Sequence, residues 1–272
     1  MSTADIKDQN WKYLHLQRSG RVLTVSFDAG NPVNSLSNAL MRELTELAVQ
    51  LQDDSELSAI VLSGRADMFT GGMDLKDPEA AAARDSSVAQ KRLLVKTGPR
   101  MCAAWEALEP VTIVAIEGWC VGGGVALAVA CDWRVAASEA SLYVPELKLG
   151  MNMSWQSVPR FVNLIGPSRT KQLLLLAEPL LAPAAADWGL VDYHVPAGQA
   201  LEHAQQLAAK LAAMPPVPVR MIKRAVNTSA NALNDATSFM DADQFLLTMG
   251  MDDATEGASA FFEKREAKFK GD

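Results

Sequence analysis

Cysteine and histidine are scarce in this sequence, with three of each in 272 residues. Cys102, Cys120 and Cys131 are odd in number and show neither pairing nor metal-ligand spacing. That excludes a disulfide framework and points to a reducing, cytoplasmic setting. His15, His194 and His203 lie far apart and none belongs to an HExxH arrangement, so no metal site is indicated. No stretch of about 18 uninterrupted apolar residues occurs, which excludes a membrane span. The opening MSTADIKDQN has no apolar run and reads as no signal peptide, and the closing AKFKGD is not a peroxisomal address. G-x-x-x-x-G-K-[ST] and G-x-S-x-G are both missing, which argues against a P-loop NTPase and a hydrolase elbow. Positive charge is also in deficit: 25 Lys and Arg against 32 Asp and Glu give a net charge of −7. Nucleic acid and anionic membrane are therefore poor partners. An anionic ligand remains possible, since it needs only a local cation or a helix N-terminus.

What is present describes a globular α/β chain with a large core. Hydrophobic residues make up 49% and charged residues 21%, enough for one large domain or a main domain with an appendage. The chain is organised around Val111 to Ala137. A β-branched run (Val111, Thr112, Ile113, Val114) reads as a buried strand, and three glycines (Gly122, Gly123, Gly124) follow. The small apolar run after them reads as a buried helix. Consecutive glycines admit a close approach of the backbone, and free N–H groups at a helix start favour negative charge. Such a turn either binds a developing oxyanion or simply packs tightly. As a dinucleotide fingerprint it fails: Gly122 and Gly124 match, but Leu127 holds the third position.

Elsewhere, residues 12–28 read as a hairpin turning at Arg18-Ser19-Gly20-Arg21, and Ser37 as the N-cap of a helix through Gln52. Residues 58–63 read as a buried strand, 79–108 as a helical stretch ending before Pro110, and 140–144 as a short strand. From Pro167 onward the composition is helical, with helices expected over 168–177, 182–188, 198–213, 217–230, 234–249 and 254–268. Alternating strands and helices thus give way to a nearly all-helical last third.

Taken together, FTGGMDLKD (69–77), EGWCVGGGVALAVACD (117–132), SLYVPELKLG (141–150), the loop PVNSLS (32–37) and the ending TEGASAFFEKREAKF (255–269) resemble the crotonase, or enoyl-CoA hydratase/isomerase, superfamily. The resemblance spans nearly the whole chain in the expected order. It implies an α/β core of ββα units wound into a spiral over residues 1–200, then a helical region over 201–272 that builds homotrimers or hexamers. It implies an acyl-CoA thioester as ligand, with coenzyme A arriving as part of the substrate and no permanently bound cofactor. Two main-chain amides, Met73 N–H and Gly123 N–H, would grip the thioester oxygen. Proton removal α to a thioester makes an enolate, so charge grows on that oxygen, and one fixed donor there is worth about 3–4 kcal/mol. Val33, Ser35 and Leu36, with Gly71, Gly72, Met73, Asp74 and Leu75, would line the CoA path beside Gly122, while Lys264 or Lys268 would meet CoA phosphates of a neighbouring subunit. Met151, Met153 and Trp155 are candidates for either the acyl-pocket wall or plain core.

Hydratases of the superfamily carry two glutamates. Here the first position is Ala126, which cannot titrate, and the second is Glu146 after Pro145. A single carboxylate suits migration of a double bond from the 3- to the 2-position, as in the Δ3,Δ2-enoyl-CoA isomerases that this chain resembles most. The neighbours of Glu146, namely Leu142, Tyr143, Val144, Leu147 and Leu149, would restrict solvent and raise its pKa where they face the site. Hydration through Glu146 and a water, a hydratase-lyase reaction, and binding of acyl-CoA without turnover are the alternatives. The lyases use a late tyrosine where this chain has Phe239, and the related dehalogenases an aspartate about where Met153 sits.

Overall fold

A computed structural model of the chain describes residues 10–272; the opening segment read as no signal peptide lies largely outside these. The hairpin pairs β1 (Leu14–Ser19) with β2 (Val22–Phe27) through a turn at Gly20, which holds φ 58°. Parallel strands β3 (Ala59–Ser63), β4 (Val111–Ile116), β6 (Trp133–Ala137) and β9 (Tyr193–Val195) extend a six-stranded sheet in the order β1-β2-β3-β4-β6-β9. β3 and β4 are buried at every residue, which is why they read as continuous apolar runs.

A second layer is built from short pieces. β5 (Trp119–Val121), β7 (Ser141–Tyr143) and β8 (Leu180–Leu181) form a three-stranded sheet. Single bridges continue that layer, Thr70 pairing with Cys120 and Leu36 with Met73. The chain thus repeats one path: main-sheet strand, short second-layer segment, helix. β2 leads through Leu36 to α1 (Asn38–Leu51). β3 leads through Thr70–Met73 to α2 (Pro78–Ala82), α3 (Val88–Leu94) and α4 (Thr97–Glu106). β4 leads through β5 to α5 (Gly123–Ala130). β6 leads through β7 to α6 (Ser157–Lys171). This is the expected spiral, and its second-layer segments are where the glycines lie.

Ser37 caps α1 by accepting from the Leu40 N–H at 3.2 Å. α1, α4 and α5 cover one face of the main sheet. All eight residues of α5 are buried, so it shows no polar stripe. α7 (Ala182–Trp188) precedes β9. On the other sheet face, α8 (Ala200–Ala212) presses Ala200, Ala204 and Ala208 against Val61, Ile113 and Val135. The expected division at residue 200 therefore falls at the start of a helix that packs on the sheet. α9 (Pro216–Ala230), α10 (Asn234–Ser238), α11 (Asp241–Met249) and α12 (Asp252–Glu263) complete the chain.

Several expected helices are subdivided. The 79–108 stretch is three helices, with Ser87 and Gln90 forming a capping box where α3 restarts. The 234–249 helix breaks at Phe239–Met240, and the 254–268 helix stops at Glu263, where Lys264 turns left-handed at φ 54°. The helix expected over 168–177 continues α6 through a kink at Gly166-Pro167. The three cysteines are free and buried.

Candidate active site

Three second-layer segments meet at the glycine triplet. The loop 31–36 is fastened to 69–74 through main chain and side chains together. Gly71 N–H donates to the Val33 carbonyl at 2.7 Å, Leu36 N–H to the Gly72 carbonyl at 2.8 Å, and Asp74 N–H to the Leu36 carbonyl at 3.0 Å. Asn34, buried and left-handed at φ 47°, was missed by motif reading yet pins the junction. Its Nδ2 donates to the Phe69 carbonyl at 2.7 Å, its Oδ1 accepts from Ala29 N–H, and its carbonyl accepts from Thr70 Oγ1 at 2.6 Å. Its signal was the Asn itself, the non-glycine residue that best tolerates φ > 0.

Segment 70–73 then lies along 119–122. Thr70 N–H donates to the Trp119 carbonyl at 2.9 Å, and Val121 N–H to the Thr70 carbonyl at 3.0 Å. At Gly72 (φ 87°) a Cβ would sit 2.7 Å from the Val121 carbonyl oxygen, so glycine is needed for both conformation and space. Gly122 (φ 50°) donates its N–H to the Tyr143 carbonyl at 2.7 Å, which ties the triplet to β7. The bridge to Leu36 uses the amides of Leu36 and Asp74 and leaves that of Met73 facing away from it. Gly123 opens α5, where amides lack an intrahelical acceptor. Among the described residues neither the Met73 nor the Gly123 N–H donates a hydrogen bond.

Glu146 opens a 3-10 turn over Glu146–Leu149 that Gly150 closes at φ 71°. This turn lays the carboxyl directly over the triplet: a Cβ on Gly122 would lie 2.5 Å from Glu146 Oε1. The residue as a whole is partly accessible, but its Oε2 is sealed from solvent and has no hydrogen-bond partner. Burial pushes the carboxyl up to about 7, a main-chain N–H only partly opposing it. A carboxyl that is half ionised near neutrality, with an unused oxygen, can take and return a proton. Ala126 is buried one turn into α5, and no residue of Gly123–Ala130 is ionisable.

The remaining expected residues fall around this centre. Val33 and Leu75 are exposed, Ser35 is buried and accepts from Asn31 Nδ2 at 2.9 Å, and Leu36 is fully buried under its bridge. Asp74 turns its Oδ1 to the Lys76 N–H. Lys264 is exposed at the end of α12, and Lys76 Nζ lies 5.4 Å from the nearby Phe262 ring, which sets that helix end beside segment 69–77 of the same chain. Burial pushes the Cys120 thiol strongly up, so this neighbour of the glycines is no nucleophile. Among the described residues no group of three His, Cys, Asp or Glu could hold a metal ion, and no helix is long and apolar enough to cross a membrane.

A spiral of strand, short segment and helix, with facing glycine turns and one buried carboxyl above them, defines a class: the crotonase fold. Residues 17–272 match the family model described as enoyl-CoA hydratase/isomerase. The 2,3-dehydroadipyl-CoA hydratase of Escherichia coli is 31% identical, the match covering 95% of this chain and 98% of that one. The crotonyl-CoA hydratase of Syntrophomonas wolfei is 29% identical over 93% of this chain and 96% of its own. In three dimensions, an enoyl-CoA hydratase from Mycobacterium avium subsp. paratuberculosis superposes with a TM-score of 0.85 at 23% identity, covering 96% of this chain and all of that one. The chain belongs to the enoyl-CoA hydratase/isomerase family of the crotonase superfamily, and is an enzyme of that family.

Proposed function

We propose that this enzyme moves the double bond of a 3-enoyl-CoA to the 2-position through a thioester enolate, with Glu146 as the one acid/base. The observation that carries this reading is the sealed, unpartnered Oε2 of Glu146 above a glycine turn, with Ala126 in place of a second carboxylate. The thioester oxygen sits between the Met73 and Gly123 amides. Glu146 takes a proton from C2, and the electron pair spreads over C2, C1 and the oxygen. The C3–C4 double bond extends the delocalisation into a dienolate, and the same carboxyl returns the proton at C4 as the double bond settles between C2 and C3. Nothing enters or leaves, so no cofactor or second reactant is required. Loop 33–36 and segment 71–75 carry the CoA arm, Lys264 meets CoA phosphates in a neighbouring subunit, and residues 201–272 assemble trimers or hexamers.

The names of the hydratase relatives favour a second reading, in which Glu146 directs a water to C3 of a 2-enoyl-CoA. Mass spectrometry of a panel of enoyl-CoAs in D2O separates the two. Isomerisation adds no atoms and places deuterium at C4, and by reversal at C2, only as far as the carboxyl proton exchanges with solvent, whereas hydration adds the mass of D2O. Glu146→Gln is expected to lower either turnover at least a thousandfold while ligand affinity stays within threefold; near-normal turnover in that variant would remove Glu146 from the chemistry.

A further inference from the structure

We propose that Trp155 is the end stop of the acyl pocket and restricts the enzyme to short acyl chains, an inference that rests on the acyl-CoA reading above. The indole spans two glycines from different helices. A Cβ at Gly123 would run into its six-membered ring, Cζ2 lying 3.1 Å away, and a Cβ at Gly98 of α4 would run into the ring fusion. Glu146 occupies the next position along, over Gly122. Carboxyl and indole therefore stand over consecutive α-carbons of the triplet. An acyl chain that presents its C2 to Glu146 meets the indole a few carbons further on.

The ring is fixed there at a conformational cost. Trp155 holds φ 61° and Gln156 φ 55°, a left-handed pair that non-glycine residues avoid and that persists only where the surroundings impose it. Two charged side chains impose it, Arg160 buried and Asp241 half-buried. Asp241 Oδ2 accepts from the Gln156 N–H at 2.5 Å and from Ser154 Oγ at 3.3 Å. Arg160 Nη1 donates to the Trp155 and Gln156 carbonyls, both at 3.0 Å, while its Nε and Nη2 pair with Glu106 at 2.8 and 2.9 Å. An apolar filler needs no such brace. A rigid wall does, because a mobile indole would yield to a longer chain.

The test is calorimetric titration of the full-length protein with saturated acyl-CoAs from butanoyl to decanoyl, for wild type, Trp155→Ala and Trp155→Leu. The leucine variant guards against misfolding of the alanine one, and thermal melts accompany both. Wild-type affinity is expected to peak at butanoyl or hexanoyl. In the variants each further methylene should tighten binding about fourfold until the vacated space is filled. Wild-type affinity that climbs through decanoyl, or variants that keep the wild-type length profile, would overturn the stop and leave the acyl-CoA reading standing. A wild type that binds no acyl-CoA overturns both. A preserved length cutoff without turnover of any enoyl-CoA overturns only the proposed reaction.

Discussion

Glu146 carries two measurable consequences of a single cause, the burial of its carboxyl. In the proposed role of base it must be ionised, so kcat/KM is expected to rise with pH through about 7 and level off above it. A profile flat from pH 5.5 to 8.5 would show that another group takes the proton. Stability runs the opposite way. The folded value of about 7 lies above the ordinary 4.5, so folding favours the protonated form; its contribution is complete below pH 4.5 and lost as pH rises through 7. That gap corresponds to about 3 kcal/mol, and Glu146→Gln is expected to recover most of it at pH 8 and none at pH 4 in denaturant melts. Gly122 faces the same carboxyl from the other side. Gly122→Ala must strain a backbone at φ 50°, ψ −113° and displace Oε1, so turnover should fall about a hundredfold or more with a stability loss of about 1–3 kcal/mol. Steady-state kinetics and a melt on the same preparation check both.

The elements that position these residues differ in how far the sequence revealed them. β3, β4 and α1 were legible from apolar runs and a Ser37 cap, because burial of a whole face fixes both pattern and boundary. The triplet and Pro145-Glu146 were legible as motifs, since glycine at close backbone contacts and proline before a turn are chemical necessities. β5, β8 and β9 were not: three residues or fewer show no alternation, and their pairing is set by where longer neighbours leave them. Asn34, Arg134 and Arg160 escaped for a related reason: each reaches a group far along the chain, Asn34 the Phe69 carbonyl, Arg134 the Leu190 carbonyl and Arg160 the Glu106 carboxylate, and no local spacing marks such a partner. Arg134 on β6 is 1% exposed, donates to the Leu190 and Cys131 carbonyls at 2.8 and 3.0 Å, and pairs with Asp192 at 2.7 Å. It fastens β6 to the turn that leads into β9. Arg134→Ala leaves Asp192 and two carbonyls without their cation and should cost about 3–5 kcal/mol in chemical denaturation, with turnover per folded molecule unchanged. Loss of activity without loss of stability would instead place Arg134 in the site's own support.

α9 is built inside out, an arrangement that the proposed assembly would account for. Its polar side faces the body of the chain: Arg220 Nη2 donates to the Asp54 and Leu57 carbonyls at 2.9 and 2.6 Å, and Lys223 Nζ to the Pro110 carbonyl at 2.8 Å while pairing with Asp132. None of its residues is buried, and Val217, Met221, Ile222 and Val226 are each more than half exposed. A monomer left so would display an apolar stripe of the kind that marks an interface, and closed rotational symmetry is the usual way to cover it. Sedimentation is expected to give a species at three or six times the 29.3 kDa chain, and Ile222→Asp with Val226→Asp to give the single chain. A wild type that sediments as one chain at micromolar concentration would refute the assembly. Dissociation should also reach the chemistry. α11 clamps the wall of the site through Asp241 on Gln156 and through Thr248 Oγ1 on Asn152 Oδ1 at 2.8 Å, and Gly257 of α12 lies against the Leu149 main chain. If subunit contacts hold those helices in place, the dissociated variant will show faster amide exchange over 151–156 and reduced turnover while the core strands keep their protection. Unchanged exchange in that loop would mean that each chain braces its own site without help from its neighbours.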